Sequence, residues 1–328
     1  MLAATTIGIA SAETPSPAGV PLVKLDVANG FAASGERVTA QGAVIGTFRS
    51  ETATVTMIGR PGSSVSLSSS MPARHRPGTL QISMSTTRPK SAGDATAYPD
   101  AGRSIVGDLV ALGMPSVEAA REFGDLATFD GVAPVSSRVP VSIAGSQPKP
   151  SSPPQPAGEP TPYDTQCASI NLGDGKITGY GCASFFLVHR EGTDWWLTTK
   201  MKVSAHSSDE SWFSPKRVTQ LGWRVSWSTR NVLYDWDPYN THPVGSCVTL
   251  TVKSSSPWAD VSVQGNICPD SLAPWAVTTA RSGGIWNGME RGTDWEGALG
   301  TQAVHSPPGA ALSYQSAWTL SYCDMWCN

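Results

Sequence analysis

The first 160 residues of this 328-residue chain contain no cysteine and no tryptophan; all six cysteines and all twelve tryptophans come later. Charge is also scarce. Lys, Arg, Asp and Glu make up 15% of the chain, against roughly 25% in an ordinary soluble domain. Residues 1–160 carry 12 basic and 12 acidic side chains, and residues 161–328 carry 11 and 14. Neither part has the basic excess that neutralises phosphates, so no nucleic-acid partner is expected. No polybasic run suits anionic lipid. No stretch reaches the ~18 apolar residues of a spanning helix, so no integral membrane segment is expected.

Catalytic signatures are missing too. There is no Gly-x-Ser-x-Gly elbow, no His-Glu-x-x-His and no phosphate-cradling glycine loop. His189-Arg190-Glu191 has the spacing of a zinc deaminase half-site, but the Pro-Cys-x-x-Cys half is absent. Cys323 and Cys327 form the one close cysteine pair, with no second pair or nearby histidine. A zinc site needs four such ligands, so neither metal nor cofactor is expected.

What is present points to export. Leu2 to Ile9 is a short apolar run, and Ala10-Ser11-Ala12 is a small-residue cleavage pattern. Residues 1–12 read as the remnant of a secretory signal peptide. An even set of cysteines outside any metal motif belongs to an oxidising compartment. The expected location is therefore extracellular.

Between Pro21 and Thr86, Val55/Met57, Val65/Leu67 and Leu80/Ile82/Met84 alternate with polar residues, as half-buried strands do. Arg60-Pro61-Gly62 and Arg76-Pro77-Gly78 mark turns. Two short helices follow. Ser104 caps the first, whose stripe is Ile105, Val106, Leu109, Val110 and Leu112; Ser116 caps the second, with Val117, Ala120, Phe123 and Ala127 facing inward. The pair has the length of a helix-turn-helix, but the acids of the second helix would repel phosphate. Residues 21–145 are thus expected to form a small α+β domain. Seven prolines fall between Pro148 and Pro162, so 146–162 reads as a semi-rigid linker reaching up to roughly 45 Å.

Residues 163–328 carry many short strand-like runs separated by Gly, Pro, Asn and Asp turns. They predict a mainly β, tryptophan-rich, disulfide-bonded sandwich, jelly-roll or Ig-like. Two cysteine pairs flank symmetrical hairpins. Gly173-Asp174-Gly175 lies midway between Cys167 and Cys182, and Ser254-Ser255-Ser256-Pro257-Trp258 midway between Cys247 and Cys268. Pairing within each hairpin leaves Cys323 for Cys327.

Two acidic-aromatic clusters remain as ligand-binding residues: Tyr234, Asp235, Trp236, Asp237 and Tyr239, then Trp286, Asp294 and Trp295. Exposed rings beside carboxylates suit sugars, the ring stacking on C–H faces while the acids bind hydroxyls. Asp235, Asp237 and Asn240 lack the glycine and remaining ligands of a calcium loop. The expectation is a secreted, non-enzymatic binding protein for a glycan or a cell-surface partner. The alternatives are a glycoside hydrolase using paired carboxylates (Asp235, Asp237, Glu290, Asp294, Glu296) and a subunit of an extracellular structural or toxin assembly. The binding expectation requires Trp236, Tyr239 and Trp295 to be at least partly exposed.

Overall fold

The computed structural model describes residues 25–26, 31–38, 43–60, 62–72, 76–88, 90, 105–127, 162–211, 215–268, 270–289 and 295–324. The signal-like residues 1–12, Ser104, Trp212, Glu290, Asp294 and Cys327 lie outside them, as does the proline run apart from Pro162. The described strands and helices are numbered along the chain.

Eighteen strands among the described residues make the protein mainly β. The first sheet runs β1 (Leu25–Asp26), β5 (Ser64–Ser70), β6 (Gly78–Arg88), β18 (Leu312–Cys323), β10 (Arg217–Trp227), β16 (Arg281–Asn287), β15 (Asp270–Pro274), β12 (His242–Val244). The second runs β11 (Val232–Asp237), β17 (Glu296–Ser306), β9 (Asp194–Ser207), β8 (Ile177–Glu191), β7 (Pro162–Leu172), β4 (Ala53–Gly59), β3 (Val44–Arg49), β2 (Ala32–Val38). A ribbon of β13 (Val248–Ser255) and β14 (Asp260–Ile267) stands apart. Among the described strands, only β1 and β5 pair in parallel.

Period-2 alternation explains how the sheets face each other. All seven alternating apolar residues named above are buried. So are Leu221, Trp223 and Val225 on β10, and Tyr314, Trp318 and Leu320 on β18. Glycine lets the large rings in. A Cβ on Gly300 of β17 would stand 2.0 Å from the Trp223 ring, and one on Gly181 of β8 would stand 2.5 Å from Trp318. Two rings from the first sheet thus press onto the backbone of the second. Gln302 of β17 ties the layers with polar bonds. It accepts from Trp227 Nε1 at 2.7 Å and donates to Ser282 Oγ at 2.8 Å and to Val225 O at 3.2 Å.

The expected division into separate α+β and β domains is not what the hydrogen bonds show. β4 pairs with β7 from Ala53↔Leu172 to Ile58↔Cys167, and β6 pairs with β18 from Arg88↔Leu312 to Gly78↔Tyr322. Strands from before and after the proline run therefore share both sheets and one hydrophobic core. Strand edges pair through space, and a proline run between two strands does not prevent it.

The helices α1 (Ile105–Ala111) and α2 (Ser116–Ala127) are present, with a different buried face on α2. Ala119, Glu122, Phe123 and Leu126 are buried, while Val117 is 78% exposed. The reason is polar. Lys202 of β9 pairs with Glu122 Oε2 at 3.0 Å and donates to the Glu122 carbonyl; Lys200 donates to Asp125 O at 2.8 Å, and Ser184 to Leu126 O at 2.9 Å. Lys200 and Ser184 satisfy carbonyls that the helix C-terminus leaves open, and the two cations oppose its negative pole. Burial pushes the Lys202 ammonium below the usual lysine range, and Glu122 draws it back up. A pattern that sends every charge outward therefore rotates the helix the wrong way.

Cys167 is bonded to Cys182 and Cys247 to Cys268, and Cys323 is disulfide-bonded as well. Cys167 and Cys182 sit directly opposite each other on β7 and β8. No described helix is long and apolar enough to cross a membrane.

Candidate functional site

The first acidic-aromatic cluster folds inward. Trp236 is 8% exposed. A register shift between Leu233 and Asp235 lets Leu233 and Trp236 both turn into the core. Asp235 and Asp237 then share the other side of β11 and serve as staples. Asp235 Oδ2 accepts Ser255 N at 2.7 Å and Ser255 Oγ at 3.1 Å. Asp237 Oδ2 accepts Lys253 N at 3.0 Å, and its Oδ1 accepts Tyr239 N at 2.9 Å. Carboxylates two residues apart meet backbone N–H groups two residues apart, which holds the ribbon onto β11. Tyr234 packs edge-on against Trp196 at 5.5 Å, and burial raises its hydroxyl pKa, with Asp235 adding to the shift. Tyr239 is the exposed member, at 40%.

The second cluster is dispersed. Trp286 is fully buried and donates to the Cys268 carbonyl at 3.1 Å. Trp295 is 6% exposed and packs against Tyr180 and His206. Glu296 is buried and accepts Cys268 N at 3.0 Å. The expectation of exposed rings thus fails at Trp236 and Trp295, because each completes a core layer. The carboxylates considered for hydrolysis hold backbone at Asp235, Asp237 and Glu296; Glu290 and Asp294 lie outside the described residues.

Other polar clusters are structural in the same sense. Lys90 donates to Ser306 O at 2.8 Å, Ser306 Oγ at 3.0 Å and Pro307 O at 2.6 Å. Burial lowers its pKa to about 8, against the pull of Asp194. A lysine of that pKa beside a serine invites comparison with a Ser–Lys pair. Ser306 is fully buried, however, and the ammonium is committed to two carbonyls. His305 meets Asp194 at 2.6 Å and stacks on Trp196 at 4.4 Å. No group of three or more His, Cys, Asp or Glu side chains suited to a metal occurs among the described residues. A groove of about 490 Å³ between β3, β4 and the end of α1 is lined by Glu36, Ile45, Thr47, Arg49, Thr56 and Leu112, and offers no set of converging groups of one kind.

The outer face of the first sheet is different. Its outward positions are Ser64, Ser66, Ser68 and Ser70 on β5, and Thr79, Gln81, Ser83, Ser85 and Thr87 on β6. Ser313, Gln315, Ala317, Thr319 and Ser321 continue it on β18, and Gln220, Gly222, Arg224 and Ser226 on β10. Side chains bond sideways across strands. Thr79 and Ser321 hydroxyls lie 3.0 Å apart, and Gln220 Nε2 donates to Asn287 Oδ1 at 2.8 Å. Gln315 Nε2 donates to Ser85 Oγ at 3.0 Å. Ser66, Ser70, Gln81, Thr87 and Asn287 are exposed, whereas Ala317, Thr319 and Ser321 are buried.

Trp275 stands on this face. Nine of the ten described tryptophans are buried, and Trp275 alone is half-buried. Its backbone N–H donates to Gly283 O at 2.8 Å, which extends the β15–β16 hairpin by one residue. The ring reaches over β10: a Cβ on Gly222 would meet it at 3.3 Å, and Ile285 lies beside that glycine. The Arg224 guanidinium lies 5.2 Å from the ring centroid. Arg281 Nε donates to Ala276 O at 2.9 Å, which fixes the turn after the tryptophan. In sequence Trp275 stands in Ala-Pro-Trp-Ala-Val, with no acidic or aromatic neighbour to draw attention. Comparison with known protein families and with characterised proteins finds no match.

Proposed function

We propose that the protein is a secreted, non-enzymatic binding protein and that it holds a carbohydrate chain on the outer face of the first sheet. The two packed sheets are read as a β-sandwich. Its disulfides support an oxidising, extracellular setting. The carrying observation is Trp275, the one described tryptophan whose ring is not buried, laid over a glycine on a face of hydroxyls and amides. A half-open indole offers an apolar plane to sugar C–H groups, and Gln220, Asn287 and Gln315 offer donors and acceptors to hydroxyls. Polar side chains already tethered to one another lose little further rotamer freedom on binding.

The test is retention on soluble and insoluble polysaccharides, by affinity electrophoresis and pull-down. Trp275→Ala is expected to weaken retention roughly tenfold, on the scale of one well-used aromatic contact, with an unchanged thermal melt. Retention that Trp275→Ala leaves untouched would refute the platform.

A further inference from the structure

We propose that the chain bound on this face is an acidic polysaccharide, one carrying carboxylates as uronic acid residues, and that Arg224 and Arg281, on the same face as the Trp275 ring, recognise those carboxylates. This inference rests on the reading of Trp275 as a sugar platform and goes beyond it by naming the ligand's charge.

The observation behind it is two cations without a counter-charge. Arg224 projects outward from β10, and Arg281 projects from the neighbouring position of β16, one row along the sheet. No carboxylate pairs with either guanidinium among the described residues. The outward positions of β5, β6, β18, β10 and β16 contain no aspartate or glutamate. Several other cations among the described residues face a carboxylate. Lys202 has Glu122, Arg60 and Arg88 have Asp164, and Lys253 has Asp260. On this face two described arginines are brought together with no described carboxylate opposite them. Arg224 Nε is shielded from solvent and has no hydrogen-bond partner, so a donor has lost its water without gaining an acceptor. Consistent with that, burial, and after it the charge of Arg281, pulls the Arg224 pKa down. Like charges set side by side in a partly dry site favour an anion. A guanidinium presents paired N–H donors that match the two oxygens of a carboxylate. The rest of the face is neutral and hydroxyl-rich, so the complementary surface is a sugar chain with intermittent carboxylates rather than a uniformly charged polymer.

The test uses the full chain with polygalacturonate, the same polymer after carboxyl reduction, and neutral dextran. Binding is read by affinity electrophoresis and calorimetry. Polygalacturonate is expected to bind at least roughly tenfold more tightly than its reduced form and to lose that advantage in high salt, where screening shortens to a few ångströms. Arg224→Gln and Arg281→Gln should each erase most of that preference. Arg281→Lys, which keeps the charge and loses the fork, should fall between. Equal binding of native and reduced polymer, still lost in Trp275→Ala, would overturn the charge assignment and keep the platform. A preference for the acidic polymer that survives both Gln variants, each with a normal thermal melt, would also overturn it. Acidic-polymer binding lost in the Arg variants but intact in Trp275→Ala would uphold the charge assignment and overturn the platform. Binding to none of the three polymers would overturn both.

Discussion

Replacing Asp164 with asparagine tests whether the chain on both sides of the proline run stands or falls together. Asp164 lies near the start of β7 and is buried. Its carboxylate lies 2.8 Å from Arg60 Nε and 4.0 Å from Arg88 Nη2, and it accepts the Tyr314 hydroxyl. Arg60 follows β4, Arg88 ends β6, and Tyr314 belongs to β18. One charge on β7 thus serves three partners, from the end of β4, from β6 and from β18, and joins both sheets. Arg60 also donates to the carbonyl of Tyr163, which keeps its guanidinium in place when the charge is gone. Asparagine keeps the volume of the side chain and removes the charge. Two buried guanidiniums then lose the carboxylate they share, and breaking a buried pair in this way costs about 3–5 kcal/mol. A typical domain has only about 5–15 kcal/mol in all. Urea unfolding should show a midpoint lowered in proportion, with an unchanged slope. Tryptophan fluorescence, which reports residues from 195 onward, and hydrogen exchange on β5 and β6 should shift by the same amount. A loss under about 1 kcal/mol would mean that water already reaches the cluster. A shift seen by only one probe would mean two independently folding parts.

Two further outcomes follow from the buried clusters. Trp236→Ala should cost about 3–5 kcal/mol of stability, as for a large ring removed from a core, while polysaccharide retention of the folded fraction stays unchanged; loss of retention with normal stability would return the site to the β11 loop. Asp209 is held down to about 2, from an ordinary 3.8, first by the Ser211 hydroxyl and then by the Lys216 N–H. A depressed carboxyl stabilises the fold above its unfolded value and loses that contribution as pH falls through its folded value. Amide-exchange protection at Ser211 and Lys216 should therefore decline between about pH 4 and pH 2, and Asp209→Asn should remove that pH dependence.

Local patterns were legible and distant ones were not. Leu80, Ile82 and Met84 alternate with polar residues, and that alone places them on the inward face of a strand. Cys167 and Cys182 flank a turn with glycines on both sides of Asp174, and that symmetry is a local matter. No local pattern shows that β6 will pair with the distant β18, so from sequence the proline run looks like a boundary between domains. The acidic-aromatic clusters misled for a related reason. Asp235 and Asp237 look like ligand groups until the N–H groups of Ser255 and Lys253 are seen to take them up. Trp275 carries no signal of its own. Its place on the surface depends on Gly222 in another strand, which leaves a bare patch of backbone for the ring to cross.

The position of β18 has a consequence for how the protein comes into being. β18 is the last described strand, yet it lies between β6 and β10 in the middle of the first sheet. β5 and β6 reach the rest of that sheet only through it. A ribosome that has released everything up to β17 has made a sheet with a gap at its centre and an unpaired edge on each side of the gap. Such contacts span most of the chain and form slowly. Until β18 emerges, the first sheet has no complete state to settle into. Closure of the first sheet is therefore timed by its keystone strand: β1, β5 and β6 stay apart from the strands across the gap until β18 pairs with both edges.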